Sequence, residues 1–126
     1  MATSTPEDVL NAYVRAFESL VPENVVKFYG LPCVFVSPMG VVPVTSAAEA
    51  TQIVTGLVAQ ARSQNYARTE IPTLAVQKLG QSLAILMGQF IRFDEAGNEI
   101  SRFGFSYTMK RRDDSWEIVV ALGHEL

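Results

Sequence analysis

Gln89 is an amide in the middle of a bulky apolar run. Leu83, Ile85, Met87, Ile91 and Phe93 share its parity along one extended stretch. In such company its N–H and carbonyl groups need partners, which a ligand, a water or the hydroxyl of Tyr13 would supply. Tyr13 belongs to a helically spaced set with Val9, Leu10, Val14, Phe17 and Leu20. It fits either a core tyrosine with its hydroxyl at a boundary or a donor to a bound oxygen. Ser37 precedes Pro38 and reads as a plain turn residue. His124 is the only histidine; it shares parity with Trp116 and Leu122, so it stands either at the mouth of an interior or exposed near the C-terminus. No side chain is assigned as catalytic from the residues alone; Tyr13 and His124 are candidates.

Other chemistry is excluded by spacing. Cys33, between Pro32 and Val34, has no second cysteine to pair with and reads as a packed small residue. One histidine, one cysteine and scattered carboxylates lack the spacing of a metal set. No phosphate-binding loop or nucleophile elbow is present, so no cofactor is expected. A net charge of −3 gives no basic footprint for nucleic acid or membrane surfaces. With 126 residues, 48% of them hydrophobic, the chain is expected to be one soluble domain, 1–126. The lone cysteine and the absence of a leader pattern at the start point to the cytoplasm.

The elements that must position these residues are legible in order. Thr5, Pro6, Glu7 and Asp8 open a helix, and Pro22-Glu23 open a shorter one carrying Val25, Val26, Phe28 and Tyr29 before Gly30 stops it. Residues 33–36 read as a strand, Ser37-Pro38-Met39-Gly40 as a turn, and 41–44 as a return strand. Ser46 and Glu49 form a capping box for a third helix. Beyond Asn65 the pattern switches to period two, with strands predicted at 68–79, 82–93, 99–111 and 115–123. The expected fold is α+β: a cone-shaped, strongly curved antiparallel sheet wrapped around three N-terminal helices.

Alternation assigns the faces. The set from Leu83 to Phe93, with Phe103, Phe105, Tyr107 and Met109, and then Trp116, Ile118, Val120 and Leu122, is predicted to face the helices. The other face also carries apolar residues, among them Ala84, Leu86, Phe90, Val119 and Ala121, so a second copy of the chain is expected to cover it.

Three stretches, Asn11-Ala12-Tyr13-Val14-Arg15-Ala16-Phe17, Val36-Ser37-Pro38-Met39-Gly40 and Arg92-Phe93-Asp94-Glu95-Ala96-Gly97, together with this order of elements, resemble the nuclear-transport-factor-2-like superfamily. The branch is that of the ketosteroid isomerases and SnoaL-like cyclases. The resemblance implies a cystatin-like α+β cone with a ligand pocket inside. In the isomerases a tyrosine and a protonated aspartic acid form an oxyanion hole and a second aspartate moves the proton. On this resemblance Tyr13 matches the tyrosine, Gln89 replaces the oxyanion-hole acid, Ser37 replaces the proton carrier, and Tyr107 falls near a pocket aromatic. The site keeps an oxygen-binding corner and loses its base.

The expected function is therefore binding of a small apolar ligand, with Tyr13, Ser37, Gln89, Phe105 and Tyr107 around it. The alternative is an isomerase, dehydratase or cyclase acting on an apolar carbonyl compound, with His124, Glu18 or Glu70 as an unusual proton carrier.

Overall fold

The computed structural model describes residues 4–126. Residues 1–3, the start of the stretch in which no leader pattern was found, lie outside the described residues. Helix α1 (Pro6–Glu18) is closed at its start by a reciprocal cap. The Thr5 hydroxyl accepts from the Asp8 N–H and the Asp8 carboxylate from the Thr5 N–H, each at 3.1 Å, which satisfies two orphan donors. Its buried stripe is Val9, Leu10, Tyr13, Val14 and Phe17; Leu20, which the spacing adds to the set, lies beyond the end of the helix and is half-buried. Helix α2 (Pro22–Val26) is a single short turn. Phe28 and Tyr29 are not helical, and β1 (Tyr29–Ser37) already begins at Tyr29.

β1 turns through Pro38 and Met39 into β2 (Gly40–Val44). Helix α3 (Ala47–Ser63) follows, with the Ser46 hydroxyl accepting from the Glu49 N–H at 3.2 Å. The predicted strand at 68–79 is two strands, β3 (Tyr66–Glu70) and β4 (Leu74–Leu79). Pro72 lies in the break, where its missing N–H removes a ladder donor. Both pair with the long β5 (Leu83–Asp94), β3 on its second half and β4 on its first. β6 (Glu99–Arg112) and β7 (Ser115–His124) complete the meander.

The strands join in one curved sheet of order β2-β1-β7-β6-β5-β3, with β4 also on β5. It is mixed rather than antiparallel, because β1 runs parallel to β7. Hairpin chemistry fixes the direction of strands adjacent in sequence; β1 and β7 meet through the whole intervening chain. α1 packs on β3, β5 and β7, and α3 packs on α2 and β3. Among the described residues no helix is long and apolar enough to cross a membrane.

The register corrects the face assignment. Antiparallel partners share a face, and Phe90, Gly88, Leu86 and Ala84 pair with Phe103, Phe105, Tyr107 and Met109. In β6 the odd positions do point to the helices, so in β5 the even ones must. Ala84, Leu86 and Phe90 are accordingly buried, while Leu83 and Met87 are 40% and 46% exposed. In β7, Trp116 and Ile118 face inward, but a bulge at Val119 reverses parity, and Ala121 and Gly123 then lie opposite Tyr107 and Phe105. Val120, Leu122 and His124 fall opposite the outward residues of β6. Bulk alone misassigns these strands because β5 carries large apolar side chains on both faces.

Candidate functional site

Between the helices and the inner face of the sheet lies a cavity of about 360 Å³. α1 contributes Tyr13 and Phe17, β1 contributes Tyr29 and Phe35, and α3 contributes Ile53 and Leu57. The floor is Arg92 of β5 with Phe103, Phe105 and Tyr107 of β6, and Ser37, Met39 and Val42 lie at the β1–β2 end. Its size falls at the small end of ligand pockets, which run roughly from 300 to 1,000 Å³.

The polar centre is a cluster of phenols. The Tyr13 and Tyr29 hydroxyls are 2.5 Å apart, and the Tyr13 ring meets those of Phe28, Tyr29 and Tyr107 edge-on at 5.8, 5.7 and 5.9 Å. Burial pushes the pKa of Tyr13 well above the usual tyrosine range, and the neighbouring Tyr29 adds to it. Tyr29 and Tyr107 are raised well above that range by the same desolvation. All three are neutral hydroxyls at physiological pH, able to donate to a ligand oxygen but not to serve as resident bases.

Among the described residues Arg92 is the only charged side chain in the lining. Its guanidinium carbon lies 4.9 Å from the Phe17 ring centre, 5.1 Å from Phe103 and 5.5 Å from Tyr66. It also borders a second void of about 20 Å³, with Val14, Thr69 and Phe90, large enough for about one water. Among the described residues the lining contains no aspartate, glutamate or histidine. Among the described residues no group of three or more His, Cys, Asp or Glu is placed to hold a metal ion.

Of the residues singled out from sequence, Tyr13, Ser37, Phe105 and Tyr107 line the cavity together. Ser37 holds its turn, its hydroxyl accepting from the Met39 N–H at 3.2 Å. Gln89 and His124 do not join them. Both pair with Gly104, Gln89 from β5 and His124 from β7, on the outer face of the sheet. The His124 ring lies so close over Gly104 that a Cβ there would meet it at 2.1 Å. The carboxylates considered as proton carriers are engaged elsewhere: Glu18 accepts from Arg15 and from the Thr69 N–H at 3.0 Å, and Glu70 pairs with Arg68. Cys33 is buried, which pushes its thiol pKa up, as expected of a packed residue.

Sequence reasoning missed Arg92 and Tyr29. Arg92 shares the parity of Phe90, which pairs with Phe103, so the aromatic pairing between β5 and β6 held the signal. Tyr29 reads as the end of a helix until its place at the start of β1 is known.

A family model described as NTF2-like protein (DUF6841) matches residues 5–126. No curated protein matches the sequence. Among solved structures, an NTF2-like protein with a cystatin-like fold from Novosphingobium aromaticivorans is similar with a TM-score of 0.75 at 12% identity, over 94% of this chain and 78% of that one. An NTF2-like protein of unknown function from Shewanella oneidensis MR-1 has a TM-score of 0.75 at 12% identity, over 96% and 100%. A protein of unknown function with a cystatin-like fold from Nostoc punctiforme has 0.74 at 10%, over 98% and 94%. At these identities the likeness is one of fold.

Proposed function

The chain belongs to the NTF2-like family, and from that premise we propose that it binds a small, largely apolar molecule in the cavity beneath α1, without the proton transfer of the isomerases. One observation carries this reading. The cavity offers apolar walls and hydrogen-bond donors, and no side chain that accepts a proton near neutral pH. Isomerisation, dehydration or cyclisation of a carbonyl compound needs a base at the reacting carbon. His124 lies on the opposite face of the sheet, and Glu18 and Glu70 are held in ion pairs outside the lining. The phenols of Tyr13, Tyr29 and Tyr107 suit a ligand oxygen, and the rings around them suit a flat apolar body.

The experiment is a structure of the protein with 2-acetylnaphthalene, a neutral aromatic ketone. Electron density for it between α1 and the sheet supports the reading. Density only elsewhere, or none at saturating concentration for this ketone and for the carboxylic acid and amide of the same ring system alike, overturns it.

The same proposal places the protein in the cytoplasm and pairs two copies through the outer sheet face. Leu83 and Met87 are exposed there, with Ile85 and Phe93 half-buried beside them.

A further inference from the structure

We propose that the ligand is a carboxylic acid, its carboxylate held by Arg92 and its apolar body by the walls formed by Phe35, Ile53 and Leu57. This rests on the reading of the cavity as a small-molecule site and adds the class of molecule. Three observations carry it.

The first is what surrounds the guanidinium. Phe17, Tyr66 and Phe103 hold it within 4.9 to 5.5 Å of their ring centres. Contacts with ring faces stabilise the cation but accept none of its N–H bonds. The second is what is missing from its edge. The Nε atom is buried with no hydrogen-bond partner. Among the described residues none of the ion pairs includes Arg92. Glu18, the carboxylate next to Phe17 on α1, is occupied by Arg15 and the Thr69 N–H. A water in the small adjoining void would satisfy one donor and leave the charge uncompensated. The third is that, among the described residues, no other charge stands in the lining. One positive charge balances a monoanion, and the planar fork of Arg matches a carboxylate in two parallel bonds. A neutral ketone or phenol would leave the charge unpaired, and a phosphate dianion would overcompensate it. The Nε is buried and the side chain only part-exposed, so some of the desolvation of Arg92 already belongs to the folded state, and an incoming carboxylate meets a guanidinium that has lost part of its water.

The test is calorimetric titration at neutral pH with 2-naphthoate and with 2-naphthamide, which has the same shape and no charge. The acid is expected to bind the unmodified protein about tenfold more tightly than the amide, or better. Arg92→Met is expected to erase that preference by weakening the acid and leaving the amide within about threefold. Arg92→Lys keeps the charge without the fork and is expected to retain a reduced preference, which decides the matter should Arg92→Met fail to fold. Equal or tighter binding of the amide to the unmodified protein overturns the carboxylate assignment. So does a preference for the acid that survives Arg92→Met undiminished. In either case, 2-acetylnaphthalene seated in the cavity would leave the binding reading standing. Failure of acid, amide and ketone alike to bind overturns both.

Discussion

Tyr13, Tyr29 and Tyr107 are three phenols in one dry place, and the fourth tyrosine, Tyr66, is also buried, its hydroxyl 2.6 Å from that of Thr69. Burial is the largest cause of the raised pKa at each of the four. A tyrosine whose folded pKa exceeds its unfolded value of about 10 contributes stability that is complete below that value and is lost as pH rises toward the folded pKa. The expected outcome of a spectrophotometric titration is therefore no tyrosinate signal near pH 10 in the folded protein. The signal should appear together with alkaline unfolding followed by circular dichroism. A reversible tyrosinate step in the folded protein would show that one of the four is wet. At this scale Tyr13 was legible in the sequence because a helix advertises its buried stripe through periodicity. Arg92 was not: its charge suggests solvent, and only the ring pairing between β5 and β6 shows that it points inward.

Among the elements, helix starts were readable and strand faces were not, for different physical reasons. Thr5 and Ser46 are caps whose side chains bond backbone donors three residues on, a local rule that needs no tertiary knowledge. A strand face is decided by whichever layer covers it, and β5 is apolar on both sides; the bulge at Val119 then breaks the parity on which such reasoning depends. Gly88 tests the resulting assignment. It sits opposite Phe105 on the inner face, where an added Cβ would lie 2.6 Å from the Thr73 carbonyl oxygen and 3.2 Å from the Phe105 ring. The backbone contact cannot yield as a flexible side chain would. Gly88→Ala is expected to lower unfolding free energy by about 1–3 kcal/mol in urea titration, as overpacked positions do. An unchanged midpoint would mean that the strand turns its other side to the core.

For the molecule as a whole, the inner face of the sheet is spent on the helices and the cavity, and the outer face presents Leu83, Met87 and their neighbours. The proposed pairing of two copies buries that face, so sedimentation at micromolar concentration is expected to give a dimer. Met87→Glu is expected to shift it toward monomer by placing a charge in the interface. A monomeric unmodified protein would contradict the pairing without touching the cavity. The proposed function requires above all that the space under α1 receive a ligand. The complex with 2-acetylnaphthalene addresses it most directly. The naphthyl rings are expected among Phe35, Phe103 and Phe105, with the ketone oxygen within hydrogen-bond reach of the tyrosine cluster. A cavity closed by its own side chains in that crystal, with the compound bound only on the outer face, would contradict it.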